Sequence, residues 1–152
     1  MYNASSSAWS PFLIKADNYN WTNGYAITRD NANNSIRSYV TQWDANFVNS
    51  ALATSTYTII SSIYNKVNIQ TYYNETSQGT DAFTANITNS NNFLYLGISP
   101  NTAGTGVQQP LNGDIAEVAL YDRNVTAAER IIIHNYLAAK YNLTLGSNDL
   151  YT

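Results

Sequence analysis

An all-β fold, an antiparallel sandwich carrying one C-terminal α-helix, is predicted for this 152-residue chain by three observations. Short runs rich in β-branched and aromatic residues recur between clusters of Asn, Asp, Ser and Gly, the rhythm of strands and turns. Tyr occurs 13 times, and it suits half-buried sheet positions, with its ring turned to a core and its hydroxyl to water. Only one segment, about residues 127–140, repeats its apolar residues at a helical period. The length suits a single domain over residues 1–152 with a sizeable core.

The elements follow in order. Residues 1–10 form a polar lead-in, with Trp9 and Tyr2 as its large side chains. Residues 11–16 read as a strand, with Pro11 at the first position, where a missing donor matters least. Residues 17–24 are an Asn-rich loop that holds Tyr19 and Trp21, and residues 24–29 resume as a strand up to a dense turn at 30–34. Residues 36–43 set Ile36, Ser38 and Val40 against Arg37, Tyr39 and Thr41, as a half-exposed strand does. A loop with one strand-like turn around Phe47 and Val48 leads to a β-branched strand at 56–64. Asn65 and Lys66 then make a two-residue hairpin connection to a strand at 67–73. After a turn at 74–78 come a weak strand at 81–88, a strand at 93–98 and a long surface loop at 99–110. Residues 111–123 read as a strand that Gly113 opens and Asp122 to Asn124 close, with Ile115, Val118, Leu120 and Tyr121 between them.

The helix starts on a capping box, Thr126 three residues before Glu129, so that hydroxyl and carboxylate satisfy each other's backbone donors. Ile133, Leu137 and Tyr141 share its apolar face with Ile132 and Tyr136 beside them, and Asn142 is placed to end it in a left-handed conformation.

Composition narrows the function. Charged residues make up 11% of the chain, against roughly 25% in ordinary soluble proteins. The net charge of −3 offers no electrostatic footprint for nucleic acid, and no apolar run is long enough to span a membrane. Cysteine is absent, which excludes disulfides, thiolate metal sites and cysteine nucleophiles. An Asn-, Thr- and Tyr-rich, weakly acidic chain without cysteine points to an extracellular or cell-surface setting, any secretion signal having been removed or lying outside this chain. Triplets at Asn3, Asn20, Asn33, Asn74, Asn86, Asn124 and Asn142 fit the N-glycosylation pattern.

A family resemblance follows from particular segments. The paired strands from Tyr57 to Asn65 and from Val67 to Asn74 resemble the central hairpin of laminin-G-like, concanavalin A-like jelly rolls. The run from Phe93 to Gly97, the Gly-rich loop, the strand from Gly113 to Arg123, the Thr126 to Glu129 cap and the stretch from Tyr136 to Tyr141 are similar to that family's closing segment, especially in its bacterial surface-protein versions. The resemblance implies a jelly roll from about residue 12 to residue 145. Two departures stand out. Glu75 occupies the position of a turn glycine, and the family's opening strands are missing before Phe12. A diverged N-terminus, a fragment, or a strand donated by another chain would each account for the second.

Three functions follow as expectations. The first is a non-catalytic extracellular module that binds a glycan or a surface protein in adhesion. Its aromatic platform would be Tyr19 and Trp21 with Asn23, and Trp43 with Asp44 is a second candidate. The second is a self-associating structural subunit, a homo-oligomer or filament of a surface layer with strand donation between chains. The third is a glucanase. Such an enzyme needs an acid and a nucleophile on one face of a strand, whereas Asp114 and Glu117, three apart, point to opposite faces. Glu117 therefore reads as structural, as do Thr126 and Glu129. No cofactor is certain. The resemblance implies calcium, for which turn carboxylates Asp17, Asp30 and Asp81 are the candidate ligands. His134, the one histidine, reads as a solvated helix position.

Overall fold

The computed structural model describes residues 9–17, 22–30, 35–42, 47–51, 56–101 and 105–150. In chain order the strands are β1 (Pro11–Asp17), β2 (Thr22–Asp30), β3 (Ser35–Gln42), β4 (Phe47–Ala51), β5 (Ile60–Tyr64), β6 (Asn68–Tyr73), β7 (Thr76–Ala82), β8 (Tyr95–Leu96), β9 (Ser99–Pro100) and β10 (Val107–Gln108), followed by α1 (Ala127–Tyr141). One sheet has the order β4-β3-β2-β1-β8, a second β5-β6-β7, and β9 with β10 form a small ribbon. Every pairing is antiparallel.

The two larger sheets face each other across an apolar interior, as strands with one apolar face require. Val40 and Val48 from the five-stranded sheet meet Ile69 from the three-stranded one, with Tyr25, Tyr64 and Phe83 around them. Ile36 likewise meets Tyr73, sealed by Phe12, Ile27 and Ile60. The opposite face of the larger sheet is covered as well, because Ile14, Ala16, Ala26 and Tyr39 are buried beneath Trp9, Phe47 and Tyr95. Strand β3 is therefore buried on both faces at its centre, and the half-exposed expectation fails at Tyr39, whose hydroxyl burial pushes far above its ordinary pKa.

Local chemistry fixes the connections. Gly24 adopts φ +64°, and a Cβ there would lie 1.7 Å from the Lys15 carbonyl oxygen, so this close crossing of backbones admits only glycine. The β5–β6 turn is centred one residue later than expected. Lys66 takes φ +64° while the Asn65 side chain accepts from the amides of Val67 and Asn68. The β6–β7 turn is tighter than expected, only Asn74 and Glu75, with φ of 44° and 68°. Strand β7 consequently begins at Thr76 rather than residue 81, because its run of small polar residues pairs through the backbone despite weak strand propensity.

The helix is built as its sequence dictates. Thr126 and Glu129 form the reciprocal capping box, and Asn142 closes α1 at φ 53°, ψ 52°. The largest difference from the sequence reading lies just before it. Residues 114–121 join no sheet ladder, because the described residues place no strand beside them with which to pair.

Candidate functional site

Among the described residues the second sheet ends at β5, which pairs with β6. Its free edge borders a cavity of about 1220 Å³. Residues 114–125 line it too, as do Phe12, Tyr25, Ile27 and Val40 of the larger sheet and Ile133, Leu137 and Tyr141 of α1. The volume exceeds the roughly 300–1,000 Å³ of small-molecule sites. Ile115, Val118, Leu120 and Tyr121 are 37–53% exposed along that wall. The helix repeats the pattern. Its fully buried side chains are His134, Asn135 and Ala138, while Ile132 and Tyr136 are 66% and 55% exposed and border the cavity. The predicted apolar face is thus turned toward the open side and only half-covered.

Beside a small apolar contact of Ala138 with Ile59 and Leu145, polar groups hold the helix. Glu75, its side chain fully buried, accepts from Arg130 Nη2 at 2.7 Å and from Nε at 3.1 Å to both oxygens. The Arg130 guanidinium stacks on Tyr72 at 3.9 Å. His134 Nδ1 stands 2.8 Å from the other Glu75 oxygen, and Nε2 is 3.1 Å from Ser61 Oγ. His134 is 1% exposed, which corrects the solvated reading: Arg130 and His134 are one helical turn apart and both reach Glu75. The left-handed turn that presents Glu75 is itself tied down. Asn74 exchanges bonds with the backbone of Ile59, its carbonyl accepts from Gly146 N, and Ser147 Oγ donates to the Glu75 carbonyl.

The order serine, histidine, carboxylate is that of a nucleophilic relay, but the geometry here serves packing. The Nδ1 contact is short yet off the N–H axis, leaving that nitrogen without an aligned hydrogen bond. Burial, with Arg130 nearby, holds the imidazole below its ordinary pKa despite the pull of Glu75. Glu117 accepts from Lys140 Nζ at 2.9 Å and Tyr141 hydroxyl at 3.1 Å, and these bonds lower its pKa, the wrong direction for a general acid. Glu129 is held at about 2 by Arg123 and the Thr126 backbone.

Of the residues expected to bind ligand, Tyr19, Trp21, Trp43 and Asp44 lie outside the described residues. Asn23, at φ 64°, donates from Nδ2 to Asp17 at 2.7 Å. Asp17 also accepts from Ser90 Oγ at 2.6 Å, and those two bonds lower its pKa. Asp30 instead accepts from Arg37 and Asn49, and Asp81 from the Phe47 amide. The three carboxylates thus serve three separate networks, and among the described residues no three of His, Asp and Glu gather into a metal cluster. Sequence reasoning missed the Glu75, Arg130 and His134 cluster. Its one signal was a glutamate where a turn glycine was expected.

Known proteins bear on this architecture. A solved S-layer domain-containing protein from Clostridium thermocellum (residues 221–444) is similar at 18% identity and TM-score 0.41, over 88% of this chain and 66% of that one. The chain therefore spans just under two thirds of that structure. No curated protein matches the sequence. The family model described as the Concanavalin A-like lectin/glucanases superfamily, Laminin_G_3, matches residues 1–129, most of the chain. With two antiparallel sheets packed face to face and a closing helix, the chain belongs to the laminin-G-like branch of the concanavalin A-like superfamily.

Proposed function

We propose that the chain is a non-catalytic structural module of an extracellular assembly, joined to other polypeptide chains through the open side of its sandwich. One observation carries this reading. The helix buries His134 and Asn135 while leaving Ile132 and Tyr136 exposed beside a cavity that the exposed Ile115, Val118, Leu120 and Tyr121 also line. Contiguous exposed apolar surface of this kind marks an interaction face. The placement of Glu117 and His134 supports a scaffold rather than a hydrolase. Sedimentation velocity over a hundredfold range of concentration tests the reading. Association is expected to rise with concentration and to disappear in the Ile132→Ser, Tyr136→Ser double variant. A monomer at every concentration overturns it.

A second reading is favoured by the network at the β1–β2 end. Asp17, Asn23 and Ser90 are bonded together there, and Asn92 Nδ2 donates to the Ala16 carbonyl, which fixes the base of the loop containing Tyr19 and Trp21. That loop would recognise a glycan, with the Trp43 and Asp44 turn as an alternative platform. Calcium would belong to this reading through Asp17, which ends β1 at the base of that loop. Glycan-array binding lost in Trp21→Ala supports it, and an array without signal discards it.

A further inference from the structure

We infer that the open side is a strand-acceptor groove, and that its occupant is an extended, uncharged polypeptide strand from another chain, with aliphatic residues on both faces. The inference rests on the proposed function, because it names what that interface takes.

The groove's two long walls favour a polypeptide. The outer edge of β5, a strand of 5 residues, has no ladder partner among the described residues. Residues 115–121, which line the same groove, carry a strand-like sequence and form no ladder among the described residues either. A single strand laid between them would continue the order β7-β6-β5 and satisfy both rows at once, as added strands do at exposed sheet edges. A glycan has no periodic amide ladder to offer, and an inserted helix would leave both edges unpaired.

The lining sets the side chains. Alternate residues of such a strand would face Phe12, Tyr25 and Ile27 on one side and Ile133 and Leu137 on the other. Both sets must therefore be apolar, as in strands buried on two faces, and β-branched residues fit best. Charge pairing within the chain argues for an uncharged occupant. Glu117 is paired with Lys140, Arg123 with Glu129, and Arg130 with Glu75, so these groove charges are satisfied within the chain. Proline is excluded because the strand must pair on both edges.

The test uses an N-acetylated, C-amidated octapeptide of alternating valine and threonine bearing a fluorophore, added to the full chain. Saturable binding is read by polarisation, and amide hydrogen exchange of the chain is measured with and without peptide. Binding is expected with new protection confined to β5 and residues 114–121. Proline at the fourth peptide position, or Leu120→Lys in the chain, is expected to weaken it by about tenfold or more, through a lost ladder or a charge set in an apolar groove. Leu120 is 53% exposed, so the lysine variant should melt like the parent, and circular dichroism verifies that. Absence of binding by a chain that still self-associates would overturn the strand proposal and leave the assembly reading standing. Protection elsewhere, or binding indifferent to proline, would overturn it equally. A monomeric chain that takes up the peptide at this groove would uphold the strand proposal while removing self-association.

Discussion

The two sides of the sandwich differ in what completes them. On the β4 and β7 side, Val48 and Ile69 close over each other with exposures of 5% and 0%, so the chain supplies its own partners. On the β5 side, Ile115, Val118, Leu120, Ile132 and Tyr136 are 37–66% exposed, and the helix is anchored by the Glu75 cluster together with one small apolar contact of Ala138 with Ile59 and Leu145. Apolar surface drives closure wherever a partner exists. Where the described residues supply little of it, the helix is retained by that small contact and by a directional ionic cluster that does not require the groove to be filled. The contrast separates what holds the chain together from what it offers to others.

The sharpest way to break that contrast is Glu75→Gln. Removing the carboxylate leaves Arg130 and the His134 contact uncompensated beneath α1. Breaking a buried pair costs about 3–5 kcal/mol, expected as a lower urea midpoint with early loss of helical signal. On the closed side, Ile69→Ala, at 0% exposure, is expected to cost about 2–5 kcal/mol by opening a cavity. If Glu75→Gln were neutral, the polar clamp would not be what retains the helix.

The sequence made the closed side legible and the open side only half so. Alternation at Ile36, Ser38 and Val40 identified the inner face of β3, and the capping pair and Asn142 bounded the helix to within a residue. Those are local signals, complete within a few residues. Residues 111–123 carried an equally clear strand pattern, yet residues 114–121 join no ladder among the described residues, because pairing depends on a neighbour that local sequence does not contain. Ile133, Leu137 and Tyr141 likewise predicted a core face correctly as chemistry and incompletely as burial. His134 was misjudged because its partner Glu75 is 59 residues earlier in the chain, and only the fold brings them to 2.8 Å.

A smaller effect follows from pH. The folded His134 pKa lies below its ordinary value, mainly through burial, with Arg130 pushing it down and Glu75 pulling it up. Near pH 6.5 and below, the unfolded histidine takes up a proton that the folded one refuses. Stability is therefore complete above about pH 6.5 and falls as pH drops toward the folded pKa, by at most about 1.4 kcal/mol per unit. The chain has 1 histidine, so urea midpoints between pH 7 and 5.5 isolate it. His134→Gln is expected to flatten the slope, and a slope unchanged by that variant would show that other groups set it.

The smallest expected change is the most informative about the open side. Leu120→Ala removes as large an aliphatic group as Ile69→Ala does, but from a side chain 53% exposed. In the isolated chain its midpoint should move by no more than about 0.5 kcal/mol, the range of ordinary surface substitutions. A loss of about 2 kcal/mol or more would mean that the groove is packed in the free molecule, and the two sides would then be alike. A neutral result together with weaker association would locate the use of Leu120 outside its own fold. The same apolar residue would then contribute nothing to the chain alone and a measurable part of the contact it makes with its neighbour.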